Sequence, residues 1–150
     1  MQTAEKIERT ALRNLIHNED YTRKVLPFLK SEYFQDRSER VVFSEIQKFI
    51  SQYNRRPTKE TLQIDLNKRK DLNEYEYKKI VELISSLDPQ DVDLEWLVNT
   101  TEKFCKDRAV HNAVMEGIHI IDGKDKKHSP EAIPEILRDA LSVSFDNAVG

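Results

Sequence analysis

The chain has few residues that break helices or cross-link chains: its 150 residues include three glycines, five prolines and one cysteine. A single cysteine, Cys105, excludes a disulfide within the chain. There is no secretion signal and no apolar run long enough to span a membrane, so we expect a cytoplasmic protein. Alternating runs of β-branched residues are also scarce, which makes an all-α chain the predicted fold class.

Charge is abundant but unevenly distributed. Charged residues make up 34% of the chain and hydrophobic residues 38%. Residues 1–90 carry 17 Lys and Arg against 15 Asp and Glu, whereas residues 91–150 carry 7 against 12. A slightly basic first part and an acidic second part do not describe a protein whose main surface binds phosphate.

Turn signals divide the chain into a helical head, residues 1–90, and a helical hairpin, residues 91–150. The head is predicted to contain about five helices, the clearest at residues 38–53, where apolar residues up to Tyr53 repeat with helical spacing. A short helix after Pro57 carries Ile64 among its apolar residues. Asn73 and Glu76 have the spacing of a capping box at the start of the next helix.

The hairpin is predicted from two helical segments, residues 94–122 and 130–145, separated by a polar turn. Asp93 can cap the first helix, while Ser129 can cap the second and Pro130 can take its first position. Their apolar stripes predict an antiparallel pair. The predicted hairpin core consists of Leu97, Phe104, Cys105, Ile136, Leu137 and Leu141.

From Ala109 onward the first hairpin helix has apolar residues in nearly every direction. A helix that is apolar all round is normally buried all round, and one partner helix covers only one side. We therefore predict a subunit interface that includes Val110, Val114, Ile118 and Ile121. The alternative is that the head of the same chain folds back over the tip of the hairpin.

The sequence offers no recognisable catalytic, cofactor-binding or metal-binding motif. Gly123 and Lys124 are followed by Asp125, so the turn does not match a phosphate-binding loop. The four histidines lack the spacing of a zinc helix, and ordinary packed or solvated roles are favoured for them. Asp122 and Asp125 could hold a metal ion in principle, but such residues more often cap helices or solvate loops.

Two basic clusters lie in the head, one around Pro57 and one at residues 68–70. Both are flanked by acidic residues and neither is interleaved with aromatic residues that could stack on bases. A solvated surface is the favoured interpretation, and a weak contact with DNA is the alternative.

The order of the segments resembles the N-terminal domain of the replicative DNA helicases of T-even-type bacteriophages, which belong to the DnaB-like hexameric family. The resemblance extends from about Leu12 to the end of the chain. Its most specific parts are Ser31-Glu32-Tyr33-Phe34, Trp96-Leu97-Val98, Thr101-Glu102-Lys103, Arg108-Ala109, Ala132-Ile133-Pro134 and Ala140-Leu141-Ser142 through Ser144-Phe145-Asp146.

The resemblance implies that these residues form a collar in a ring of six subunits, with self-association ranging from a dimer or trimer to the hexamer. It implies a RecA-like motor beyond residue 150, which uses ATP or GTP with Mg²⁺ and unwinds DNA 5′ to 3′. Primase is the implied partner, and the full helicase would also meet a helicase loader and single-stranded DNA. The fragment alone is expected to be inactive, without a cofactor of its own. The candidate acids for docking a basic partner are Glu95, Glu102, Asp107 and Glu116.

Two other functions compete with the helicase collar. The first is a free-standing helical adaptor that associates through its hairpin and has no motor. The second is a small helix-turn-helix module that binds DNA through the basic cluster around Pro57.

Overall fold

The structure is a computed structural model that describes residues 6–145. Over this range the chain forms seven α-helices and three short 3₁₀ helices, with no strand, which confirms the predicted all-α class. The α-helices are α1 (Ile7–His17), α2 (Glu19–Val25), α3 (Arg37–Tyr53), α4 (Lys59–Leu66), α5 (Glu74–Ser85), α6 (Leu94–Ile121) and α7 (Ile133–Leu141). The 3₁₀ helices are Leu26–Phe28, Ser31–Tyr33 and Pro130–Ala132. No helix in the described range is long and apolar enough to cross a membrane.

Contacts within the chain define two compact units, Met1–Val98 and Asn99–Gly150. We call them the head unit and the hairpin unit. The division falls inside α6, whereas the sequence places the domain boundary at residues 90 and 91. Leu97, predicted as part of the hairpin core, is fully buried but belongs to the head unit.

Side-chain caps fix the starts of several helices. The Asn73 side chain accepts a hydrogen bond from the Glu76 amide at 2.8 Å, and the Glu76 carboxylate accepts one from the Asn73 amide at 3.1 Å. The predicted capping box is therefore present. At the start of α6, the Asp93 carboxylate accepts a hydrogen bond from the Trp96 amide at 2.8 Å, as predicted for a cap. Each cap satisfies a backbone N–H group that has no partner within its helix.

The head unit has a core of large side chains. The rings of Phe34 and Phe43 stack with their centroids 5.1 Å apart, and both side chains are fully buried. Other fully buried side chains in this unit are Leu12, Leu15, Tyr21, Ile46, Leu62, Leu66, Ile80, Ile84 and Leu87. Such side chains typically contribute about 1.5–3 kcal/mol each when buried, so this unit has a hydrophobic core of its own.

Two apolar residues of the predicted head helices are exposed. Ile64 is 51% exposed, because two residues along a helix turn the side chain about 200° away from Leu62, which is buried. Tyr53 is 50% exposed at the last position of α3, where its ring lies 4.7 Å from that of Phe49 between centroids.

The second arm of the hairpin differs from the predicted helix at residues 130–145. Pro134 has no N–H group, and its ring would clash with the carbonyl of residue 130 in a continuous α-helix. The chain accordingly forms a 3₁₀ turn at Pro130–Ala132 and starts α7 at Ile133, with Pro134 in its first turn. The predicted cap by Ser129 is wrong, because its side chain makes no capping hydrogen bond.

Candidate protein-interaction surface

In the hairpin unit, one face of α6 is buried, and it consists mainly of small residues. Ala109, Ala113 and Gly117 follow one another at intervals of four residues and are all buried, as is Ile120. A methyl group added to Gly117 would lie 3.6 Å from Cγ2 of Ile133 in α7, which is ordinary van der Waals contact. This face of α6 therefore packs against the second arm of the hairpin.

A different face of the same helix carries an exposed apolar stripe. Val110, Val114, Ile118 and Ile121 are spaced by four, four and three residues, so they fall within about 80° of one another around the helix. Val114 is 46% exposed, Ile118 43% and Ile121 70%, while Val110 is half-buried. All four residues predicted for a subunit interface thus lie on one surface, which we call the α6 stripe.

The sequence prediction omitted one apolar residue that extends this surface. Met115 is 41% exposed and follows Val114 directly, so it lies on the flank of the α6 stripe. Its long, flexible side chain is suited to irregular contact surfaces. The sequence already indicates this extension, because Met115 directly follows Val114, which forms an i, i+4 apolar pair with Ile118.

Apart from Leu97, the residues predicted for the hairpin core fall into three groups. Phe104 and Cys105 are buried, and burial raises the pKa of the Cys105 thiol to about 12, with a smaller contribution from the charge of Glu102. Ile136 and Leu137 are half-buried. Leu141 is 72% exposed and lies outside the core, contrary to the prediction. It is the last residue of α7 and lies at the edge of the apolar face of that helix, about 100° from the buried Ala140.

Glu102, one of the four candidate docking acids, holds the two arms of the hairpin together. Its Oε2 atom accepts a hydrogen bond from the Phe145 amide at 2.8 Å and another from the Ser144 hydroxyl at 3.4 Å. Hydrogen bonds to a charged acceptor are stronger than neutral ones. The Glu102 carboxylate therefore has a structural role within the chain.

The other three candidate acids are more accessible. Glu95 is exposed in the first turn of α6. Asp107 pairs with Lys103 one turn earlier at 3.2 Å, and its side chain is 65% exposed, so solvent screens this pair strongly. Glu116 is near His128, with 3.9 Å between its Oε1 atom and the imidazole Nδ1 atom. The three acids do not form one cluster along the helix.

The turn after α6 is held by backbone and side-chain hydrogen bonds. Gly123 has a φ of 75°, and the Lys124 amide donates to the carbonyl of His119 at 2.9 Å, which is the pattern of a glycine-terminated helix end. Asp125 then accepts hydrogen bonds from the amides of Lys127 at 2.7 Å and His128 at 3.2 Å. The imidazole of His128 and these amides hold the pKa of the Asp125 carboxyl below its usual value.

Most of the basic side chains that stand out in the sequence of the head are engaged with the head itself. The guanidinium of Arg56 donates to the Ile16 carbonyl at 2.6 Å, and Lys59 pairs with Asp88. In the second cluster, Arg69 pairs with Asp71 at 2.7 Å. The two ion pairs offset the charges of Lys59 and Arg69, and Arg56 is held against the head, so fewer free cations remain for a nucleic acid.

Comparison with known proteins identifies a helicase relative. No protein-family model matches the chain. The chain is 36% identical over 147 residues to a DnaB-like replicative helicase of Enterobacteria phage T4, and the match covers 93% of this chain. It covers 31% of the helicase, so the chain spans about a third of that protein's length. The predicted relationship to a DnaB-like replicative helicase is confirmed, whereas the assignment to the N-terminal domain of the T-even type stays a prediction.

Proposed function

We propose that this chain is the N-terminal collar domain of a phage replicative DNA helicase, and that it self-associates through the α6 stripe. The observation that carries the proposal is the stripe of three exposed β-branched residues, Val114, Ile118 and Ile121, on a helix whose other face is buried by its own hairpin. The 36% identity to a DnaB-like replicative helicase supports the biological setting. A ring-forming enzyme needs such a surface on every subunit.

The size of the stripe sets the expected strength of association. Complete burial of one Val or Ile side chain contributes about 1.5–3 kcal/mol, and these residues are already partly buried within the chain. Stable interfaces usually bury about 1,200–2,000 Å² in total and involve about 20–30 residues on each side, whereas the stripe has only Val110, Val114, Ile118 and Ile121. We therefore expect the isolated chain to form a weak dimer or trimer, and the hexamer to require the motor domain.

The test is the molar mass of the chain, measured by light scattering after size exclusion over a wide concentration range. Ile118→Asp is expected to make the chain monomeric, because a buried carboxylate without a partner is strongly unfavourable. Tyr75→Asp is the matched control: Tyr75 is 74% exposed in the head unit, and its substitution should leave association unchanged. Equal self-association of the wild type and Ile118→Asp would contradict the proposed interface.

Under this proposal, the catalytic activity belongs to a RecA-like motor domain of the parent protein. That motor would bind ATP or GTP with Mg²⁺ at subunit boundaries and unwind duplex DNA 5′ to 3′. The present residues would contribute assembly and docking rather than hydrolysis. Nucleotide hydrolysis by the purified 150-residue chain, retained through repeated purification, would contradict the assignment of hydrolysis to the motor domain.

We also propose that the acidic hairpin docks a basic surface of primase. Glu95, Asp107 and Glu116 are the acids to test, because the Glu102 carboxylate is already bound within the hairpin. Reversal of these three charges to Lys should weaken primase binding most at low salt, where electrostatic attraction is strongest. Unchanged affinity at low salt would exclude the charge-based mode. The helicase loader and single-stranded DNA are proposed to meet other surfaces of the full helicase.

The competing functions predict different results. A free-standing adaptor would self-associate in the same way, but its gene would encode no nucleotide-binding motor after residue 150. A DNA-binding module would bind short duplexes with a steep salt dependence. The internal pairing of Arg56, Lys59 and Arg69 argues against the DNA-binding alternative.

A further inference from the structure

Three potential metal ligands converge at the tip of the hairpin. Glu116 comes from α6, while Asp125 and His128 come from the loop before the 3₁₀ turn. One ligand atom from each side chain lies within 4.8 Å of the other two. The Nδ1 atom of His128 is 3.1 Å from Oδ2 of Asp125 and 3.9 Å from Oε1 of Glu116.

The two distances from His128 are close to those required by a small divalent ion. Zn²⁺ binds nitrogen and carboxylate oxygen at about 2.0–2.2 Å, so two ligand atoms of a tetrahedral site lie about 3.3 Å apart. The pair of His128 and Asp125 already has this spacing. Glu116 is about 0.6 Å too far from His128, and its flexible side chain, 42% exposed, can close that gap by rotation.

The loop orients Asp125 for such a role. Its Oδ1 atom accepts hydrogen bonds from two backbone amides, those of Lys127 and His128, so Oδ2 is directed towards the imidazole. Metal sites in proteins usually have ligands fixed by hydrogen bonds of this kind. The Asp125 side chain is 18% exposed, whereas those of His128 and Glu116 are 41% and 42% exposed, which leaves solvent access for a fourth ligand.

We propose that Glu116, Asp125 and His128 form a binding site for a divalent transition-metal ion. Zn²⁺ is the proposed ion, and water completes its coordination. The imidazole nitrogen distinguishes this set from an ordinary group of solvated acids, because it favours Zn²⁺ over Mg²⁺ or Ca²⁺. On binding, Nδ1 of His128 must be unprotonated, so the neutral ring carries its proton on Nε2. The site is independent of the proposed helicase role.

An ion in this position would connect the loop to α6 at Glu116, within about one and a half turns of Ile118 and Ile121. It would restrict the loop at residues 123–128, which is otherwise connected to the helix by hydrogen bonds. Binding to the folded state alone raises its stability in proportion to the logarithm of the ion concentration above Kd. Zn²⁺ should therefore raise the unfolding midpoint of the chain.

The 150-residue chain is titrated with Zn²⁺ in an isothermal titration calorimeter. Its thermal unfolding is then measured with and without Zn²⁺. Co²⁺ serves as a visible probe, because its absorption reports the coordination geometry. We expect one ion per chain and an increase in Tm. His128→Gln should weaken binding by more than about tenfold, and Glu116→Gln should weaken it as well. Excess Mg²⁺ should not compete.

Two matched controls separate this site from general binding to surface groups. His111→Gln and His119→Gln replace exposed histidines of α6, the helix that carries Glu116, and should bind Zn²⁺ like the wild type. Circular dichroism of each variant verifies that the helices are retained. No binding of Zn²⁺ or Co²⁺ at millimolar concentration, or equal affinity of wild type and His128→Gln, would overturn the proposal.

Discussion

The head unit and the hairpin unit bury different kinds of side chain. The head buries aromatic and large aliphatic residues such as Phe43 and Tyr21, whereas the hairpin buries mainly small ones such as Ala109 and Ala113. In the described part of the hairpin, large aliphatic residues such as Ile121 remain well exposed. The head can therefore depend on its own core, while the hairpin keeps apolar surface available for another molecule.

The largest expected effect is on the free energy of unfolding, and it should differ between Phe43 of the head unit and Ile118 of the hairpin unit. Phe43→Ala should lower the free energy of unfolding by about 3–5 kcal/mol, because it leaves a cavity in a fully buried site. Ile118→Ala should lower the stability of the monomer by about 1 kcal/mol or less, because this residue is 43% exposed and leaves no closed cavity. Urea unfolding at a concentration where the chain is monomeric gives both values. A similar loss for both variants would remove the distinction between the units.

The second prediction concerns the connection between the hairpin arms. Glu102→Ala removes the acceptor of the Phe145 amide, and a hydrogen bond to a charged group contributes about 1.5–3 kcal/mol. The expected result is faster hydrogen exchange at residues 144 and 145, with little change at the core of the head. Glu95→Ala is the control from the same helix. Unchanged exchange at Phe145 would show that the hairpin does not depend on this contact.

A smaller change, an increase in stability, is expected from a substitution on the buried face of α6. Gly117→Ala should stabilise the chain by about 0.5–1 kcal/mol, since alanine favours the helix and the added methyl has room beside Ile133. Thermal unfolding measures the change. A decrease in Tm would mean that the two arms pack more tightly than the 3.6 Å contact indicates.

The smallest effect is a change in acid stability of the head. Hydrogen bonding from Arg69 lowers the pKa of the Asp71 carboxyl from 3.8 to about 2. Because the folded-state value is the lower one, its stabilising contribution is present above pH 3.8 and is lost as pH falls towards 2. Asp71→Asn should therefore differ from the wild type at neutral pH, and the difference should diminish across this window. A difference independent of pH would exclude the linkage.

Sequence patterns predicted the helices well because their causes are local. The capping box of Asn73 and Glu76 and the cap at Asp93 depend on residues three positions apart, and both are present. Periodicity also placed the four residues of the α6 stripe on one helix face. It could not predict how far each side chain is covered, which explains why Leu141, predicted for the hairpin core, is exposed.

The features that sequence reasoning missed depend on contacts between distant residues. Glu102 meets Phe145 across 43 positions, so its role follows only from the closure of the hairpin. The approach of His128 to Glu116 likewise depends on the turn at Gly123, whose positive φ reverses the chain after α6. Spacing rules for metal helices do not cover ligands brought together by such a turn.

The buried thiol of Cys105 provides an internal reporter of hairpin opening. Thiolate is the reactive form, and a group with a pKa near 12 and no solvent access reacts slowly while the helices remain packed. Alkylation of this single cysteine would therefore proceed only through transient openings, at a rate set by how often the hairpin separates. The alkylation rate of Cys105, measured with and without a binding partner, would then show whether that partner keeps the hairpin closed. No engineered probe is needed.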